Sequence, residues 1–189
     1  MTKAATRARP VGRKAAPPAA KAAARHAQEA LKVEEARNPT YAKNAAFARD
    51  FRQVFEADPI ERVRIVKAGV PASAVEEIAR QMAVSKERLM GTLGLARATI
   101  DRKVREHKPL STDEGSRVLG LSRLVGQVQA MVEESGNPEG FNAAEWVAGW
   151  LERPLPALGG QRPAELMDTP EGQGIVAQLI ARMQSGAYS

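Results

Sequence analysis

The chain has 189 residues, enough for one or two domains with a real core, and 28 Lys and Arg against 22 Asp and Glu leave a net charge of +6. It contains no cysteine, which excludes a disulfide framework and thiolate metal sites and fits a reducing compartment. No stretch nears the ~20 apolar residues of a membrane span, and no apolar run follows the basic start, so neither a membrane protein nor a secretory signal is expected.

The charge is distributed unevenly. Residues 1–24 carry six basic side chains (Lys3, Arg7, Arg9, Arg13, Lys14 and Lys21) and no acid, in an Ala- and Pro-rich context with almost nothing to bury. A disordered tail is expected there, acting as a solubilising leader or as a sequence-independent DNA contact. Residues 25–79 balance at nine basic and nine acidic. Residues 80–108 hold eight basic against three acidic, and residues 109–189 hold five basic against ten acidic. A basic middle and an acidic end predict two surfaces with different partners.

In chain order, Arg25 to Arg37 reads as weakly helical and polar, interrupted at Asn38-Pro39. Phe47, Phe51 and Phe55 recur every fourth residue and predict one apolar stripe on a helix that packs on the body or on a twin subunit. After Asp58-Pro59 the pattern is helical throughout. Val63, Ile65 and Val66 are the expected apolar positions before Gly69. Ser73 or Ala72 starts the next helix, with Val75, Ile78, Ala79 and Met82 buried. Ser85 caps another. Ser111 and Glu114 have capping-box spacing ahead of a long helix carrying Val118, Leu119, Leu121, Leu124, Val125, Val128 and Val132. Asn142 and Glu145 form a second box, flanked by Phe141 and Trp146 at staple spacing. Thr169-Pro170-Glu171 opens a last helix with Ile175, Val176, Leu179, Ile180 and Met183 on its apolar face. No alternating strand is found, and the predicted class is all-α.

The stretch SKERLMGTLGLARATIDRKVREH has helix-turn-helix grammar. Gly94 supplies the positive φ of a tight turn, and Leu95 plugs the core beneath it. In the second helix Ile100 and Val104 mark the buried side. Ala98, Arg102 and Arg105 lie opposite, with Thr99 beside them. Small and basic residues facing outward suit a major groove, where arginine pairs with guanine through two hydrogen bonds. Arg97 and Lys103 are expected at phosphates. Lys103 stands three residues after Ile100, where an apolar side chain would fit better. The lack of aromatic residues from Glu56 to Gly140 disfavours a single-strand stacking platform.

Nothing in the chain has the spacing of an enzyme. His26 and His107 are far apart, Gly159-Gly160 lacks the pattern of a phosphate loop, and the pairs Glu76/Glu77 and Glu133/Glu134 read as solvated helix faces. No cofactor is expected. Trp146 and Trp150, one helical turn apart, read first as core packing and second as interface anchors.

The run WLERPLPALGGQRPAELMDTPEG, an apolar helix and a closing SGAYS resemble the toxin-binding domain of the MbcA/ParS/Xre antitoxins. That domain carries Trp-Leu, Leu-Gly-Gly, Pro-x-x-Leu, Thr-x-x-Gly and a terminal Gly close to Tyr. The preceding GVPASAVEEIARQMAVSKERLMGTLGLARATIDRKVREHKPLSTDEGSRVLGLSRLV resembles the Xre-type helix-turn-helix of the same family. The resemblance covers about Ile60 to Ser189. It implies a helix-turn-helix domain followed by a small helical toxin-binding domain, and a non-enzymatic antitoxin. It further implies a RES-domain toxin acting on NAD by degradation or ADP-ribosylation, homodimerisation, and binding of operator double-stranded DNA for autorepression. The bacterial cytoplasm is the expected location, nucleoid-associated when the promoter is bound. The implied DNA contacts are Arg97, Ala98, Thr99, Arg102, Lys103 and Arg105. The implied toxin contacts are Trp150, Leu155, Leu158, Gly159, Gly160, Arg182, Met183, Gly186, Tyr188 and Ser189. The expected division is a tail (1–24), a helical extension (25–56), the helix-turn-helix domain (57–110) and the long helix with the toxin-binding domain (111–189). Tyr188, near the chain end, would act as a plug: its ring, nearby hydroxyls and a terminal carboxylate suit a cleft built for a base and phosphates. A free-standing Xre-type regulator with a C-terminal dimerisation domain is the alternative. A nucleoid binder led by the tail is a weaker one.

Overall fold

The computed structural model of the chain describes residues 39–136 and 138–184. The expected tail and the stretch from Arg25 to Arg37 lie outside the described residues, as do Gly186, Tyr188 and Ser189. Among the described residues the elements are helices, with one isolated bridge between Pro71 and Pro109. They are α1 (Pro39–Arg49), α2 (Phe51–Glu56), α3 (Pro59–Ala68), α4 (Ala74–Gln81), α5 (Lys86–Thr92), α6 (Arg97–Arg105), α7 (Thr112–Glu134), α8 (Ala143–Trp150) and α9 (Pro170–Gln184). Two short 3-10 turns, Pro156–Leu158 and Pro163–Leu166, lie between α8 and α9. No helix of the described residues is long and apolar enough to cross a membrane.

The single phenylalanine stripe is corrected to two helices. Asp50 stands between them, and its carboxylate accepts the Gln53 N–H at 2.9 Å, which caps α2 and ends α1. Phe47 and Phe51 are buried, while Phe55 faces out at 36% exposure. In α3, Pro59 holds the first turn, as the sequence predicts, and Asp58 adds a cap by accepting from the Ile60 N–H at 2.7 Å. Val63 is the correction there. It is 47% exposed, and Ile65 alone of α3 is fully in the core.

The 23-residue α7 organises the rest. Its capping box is present in both directions: Ser111 Oγ accepts from Glu114 N at 3.2 Å, and Glu114 Oε2 accepts from Ser111 N at 2.7 Å. Helices α1, α2, α3, α8 and α9 all pack on α7. Val118, Leu119, Leu121, Leu124, Val125 and Val128 fill the centre. Small residues on α7 let the neighbours approach closely. Ser122 Oγ donates to the Ala48 carbonyl at 2.8 Å, and Gly126 lies directly under the backbone of Phe51. One continuous apolar core therefore runs from Phe47 in α1 to Ile180 in α9. The boundary expected near residue 56 is not a break in packing, because Phe47, Phe51 and Val54 belong to that core and Asn44 Nδ2 donates to the Gly69 carbonyl at 2.9 Å.

Asn142 caps α8 by accepting from Ala144 N and Glu145 N. The second box is half formed, since Glu145 accepts from the Asn142 side-chain amide at 2.8 Å and not from its backbone. Thr169 Oγ1 accepts from Gly172 N at 3.1 Å and starts α9. Val176, Leu179 and Ile180 of α9 point inward, but Ile175 (41% exposed) and Met183 (38%) face out, contrary to the expected five-residue face. An inward face of about 100° admits only part of that set.

Candidate functional sites

The basic site is built on α5 and α6. Ser85 Oγ accepts from Arg88 N at 3.1 Å and starts α5. Gly94, at φ 59°, turns the chain, and Leu95 N–H returns to the Met90 carbonyl at 2.8 Å, which closes the turn over buried Leu93 and Leu95. Ile100 then anchors α6 in the core and Val104 is half-buried. Ala98, Arg102 and Arg105 are exposed and Thr99 is half-buried. Among the described residues neither Arg102 nor Arg105 forms a salt bridge, so both guanidinium groups face solvent on the outer side of α6.

The flanking cations behave differently. Arg97 meets Glu87 at 3.3 Å and Asp101 at 3.6 Å, yet its side chain remains 68% exposed. Asp101 also accepts from Lys86 at 2.6 Å, and this bond, helped by the charges of Lys86 and Arg97, holds its carboxyl below the usual range. Lys103 turns toward the body. Its ammonium pairs with Glu114, and the two side chains are only 16% and 13% exposed. A phosphate contact would require breaking that pair, so Lys103 is better understood as a strut that fixes α6 to the N-terminus of α7. The lysine three residues after Ile100 marked a misfit in the apolar pattern, but not its partner.

Glu114 thus serves the capping box and the strut together. Partial burial pushes its carboxyl up, but the hydrogen bonds from Lys103 and from the Ser111 N–H outweigh this and hold it below the usual range. A carboxyl depressed in the folded state adds stability above its unfolded pKa of about 4.3, and that stability is lost as pH falls through the folded value. Glu114→Gln is expected to destabilise by about 2 kcal/mol at pH 7. The gap to the parent should close as pH drops below about 4. Urea unfolding across pH 3–7 checks this, and a pH-independent gap would contradict it.

Arg117 of α7 holds the turn itself. Its Nη1 donates to the carbonyls of Leu93 (2.6 Å) and Gly94 (2.9 Å), and its Nη2 to Asp113 at 2.7 Å. From α9, the buried Gln173 donates to the Arg117 carbonyl at 3.0 Å and to the Met167 carbonyl at 2.8 Å. Glu152 bridges Arg88 of α5 and Arg162, each at 3.2 Å. Sequence patterns gave no sign of these links between α5, α7 and α9, because each partner is far away in the chain.

The second site lies in the C-terminal part. Trp146 stacks on Trp150 with centroids 5.9 Å apart and planes 12° from parallel, and Phe141 meets Trp146 at 6.3 Å. Trp150 is 4% exposed and belongs to the core, which removes it from the expected contact surface. Leu155 to Gly160 form one tight turn: Leu158 N and Gly160 N both reach the Leu155 carbonyl at 2.9 Å, and Gly159 and Gly160 adopt φ 65° and 86°. Both glycines are exposed, while Leu155 and Leu158 are half-buried against the core. Arg182 and Met183 are exposed on the last turn of α9, about 18 Å along the helix from its start. Gly186, Tyr188 and Ser189 follow, outside the described residues.

A helix-turn-helix unit is thus joined by one long helix to a capped helical module, the organisation that the antitoxin resemblance implies. Residues 61–123 match the antitoxin Xre-like helix-turn-helix domain, and residues 130–186 match the antitoxin Xre/MbcA/ParS C-terminal toxin-binding domain. A protein of Sphingobium sp. (strain YBL2) named Prs ADP-ribosylating antitoxin is 43% identical over 139 residues, covering 74% of this chain and 87% of that protein. Proteins named Antitoxin Xre are similar over 66% of this chain. That of Yersinia enterocolitica is 23% identical, with 78% of its length covered, and that of Photorhabdus laumondii is 24% identical, with 79% covered. The chain belongs to the Xre/MbcA/ParS family of antitoxins and is the antitoxin of a toxin–antitoxin system. The two matches meet inside α7, so this helix carries the junction between them.

Proposed function

We propose that this antitoxin acts by binding alone: it neutralises a RES-domain toxin that transfers ADP-ribose from NAD, and it represses its own operon through α6. Support for the toxin's chemistry comes from the name of the 43% identical relative, Prs ADP-ribosylating antitoxin. One observation carries the docking reading. The toxin-binding match over residues 130–186 takes in the exposed Arg182 and Met183 on the last turn of α9.

In this reading Gly186 releases the chain from the helix and the Tyr188 ring fills the space of a planar base, with the Ser189 hydroxyl beside it. Arg182, Met183 and the exposed turn at Gly159 and Gly160, with Leu155 and Leu158 beneath, form the surrounding contact. On DNA, Arg102 and Arg105 read base edges, Ala98 and Thr99 allow close approach, and Arg97 meets phosphate. The repressor works as a homodimer in the bacterial cytoplasm, with half-sites about 34 Å apart.

Co-expression with the toxin encoded beside it tests both halves. Deletion of Ala187 to Ser189 is expected to abolish growth rescue and leave operator affinity unchanged. Unchanged rescue and unchanged complex affinity would remove the plug. Arg102→Ala is expected to weaken operator binding roughly 10- to 100-fold, matching about 1–3 kcal/mol per bidentate base contact, with neutralisation intact. An equal loss on operator and random DNA would mark Arg102 as a phosphate contact instead.

A further inference from the structure

A groove of about 380 Å³ runs between α3, α7 and the first turn of α9. Val63, Val66 and Leu119 form its apolar walls and floor, and Arg62, Lys67 and Arg123 supply its charge. Among the described residues no acidic side chain lines it. Val63, an aliphatic side chain on the wall, is 47% exposed among the described residues.

The three cations are not equivalent. Arg62 is part of the fold: its Nη1 donates to the carbonyls of Val54 (3.1 Å) and Ala57, which closes α2. Burial and then the neighbouring Arg123 push the Arg62 guanidinium down, with Asp58 acting the other way. Among the described residues Lys67 and Arg123 form no salt bridge. Arg123 is half-buried and Lys67 exposed. Two uncompensated cations over an apolar wall match a chain segment that presents carboxylates around an apolar anchor.

Charge also discriminates among occupants. A second copy docked groove to groove would set cation against cation. A DNA backbone offers phosphates but nothing to cover Val63 and Val66. The groove also joins the two halves of the chain, since α3 and Arg123 lie in the helix-turn-helix match and the first turn of α9 lies in the toxin-binding match.

We propose that this groove docks an acidic segment of the partner toxin, its apolar anchor seated on Val63 and Val66 and its carboxylates paired with Lys67 and Arg123. This rests on the toxin-neutralising reading above and extends the toxin contact from the C-terminal domain onto the helix-turn-helix half.

The test uses the full chain and the toxin encoded beside it, inactivated in its catalytic site. Titration calorimetry of the Lys67→Glu/Arg123→Glu variant should show toxin binding weakened at least roughly tenfold. The parent's affinity should fall with salt more steeply than the variant's. A photo-crosslinker at position 63 should capture toxin peptides rich in Asp and Glu. Val63→Asp, at an exposed position, carries the same expectation if the double variant does not fold. Equal toxin affinity in parent and variants overturns the groove while leaving toxin neutralisation in place. Failure of the parent itself to bind that toxin overturns both readings. Loss of operator binding alone makes the groove a phosphate contact, and crosslinks confined to a second copy make it a dimer face. Either of these overturns the proposal.

Discussion

Replacing Gly126 by alanine is expected to lower the unfolding free energy by about 2 kcal/mol and the melting temperature by roughly 6 °C. A Cβ at this position would lie 1.9 Å from the Phe51 carbonyl oxygen, 2.6 Å from its carbon and 2.8 Å from Phe55 Cβ. Two of these atoms are backbone and cannot swing aside, so α2 has to move off α7. That movement opens the packing around Phe51 and Val54, both buried. Overpacking costs about 3 kcal/mol, and the better helix propensity of alanine offsets about 1 kcal/mol of it. Gly149 supplies the contrast. It is also helical, in α8, but nothing lies within 4 Å of its would-be Cβ. Gly149→Ala should therefore keep only the propensity gain and leave stability equal or slightly higher. Urea or thermal unfolding of both variants checks this, and equal effects at the two positions would refute the close-packing account.

Removing the Arg117 side chain should have the next largest effect, a loss of about 2–3 kcal/mol with weaker operator binding. Its guanidinium is only 12% exposed and supplies the donors to the Leu93 and Gly94 carbonyls. These carbonyls end α5, where a cation is favoured by the helix dipole. In Arg117→Ala the turn loses its clamp and the orientation of α6 relaxes. Arg117→Lys keeps the charge but loses the planar fork, and it should recover only part of the stability. The decisive measurement sets operator affinity beside toxin neutralisation. Loss of the first with retention of the second places the clamp in the DNA-binding half. Parallel loss of both would show that Arg117 serves the whole core.

The sequence was most informative where physics is local. Caps at Ser85, Ser111, Asn142 and Thr169 depend on side chains that reach the next turn of backbone, and all four act in the structure. Runs with a 3.6-residue period marked α4 and α7, because a helix that must bury one face repeats its apolar residues at that spacing. The helix-turn-helix, with its Gly94 turn, was legible for the same reason, and the linear motifs around Gly159 and Thr169 carried the family. Local logic failed at Asp50, where a capping carboxylate overrode the phenylalanine spacing and split one expected helix into two.

The partners of charged side chains were decided elsewhere. Nothing near Lys103 in the chain announces that Glu114 will neutralise it, nor that Arg117 will cap α5 from 24 residues away. Trp150, read first as core, is settled there because α8 packs on α7. The amino-acid order by itself determined an all-helical antitoxin with a basic middle and an acidic, Gly- and Pro-punctuated end, since periodicity, caps and motifs act over a few residues. Only the tertiary structure decided which cations form no salt bridge among the described residues, Arg102, Arg105 and Arg123, and which are spent on the fold, Lys103 and Arg117. Ion pairing and desolvation depend on distances that the chain sets only once its helices have packed.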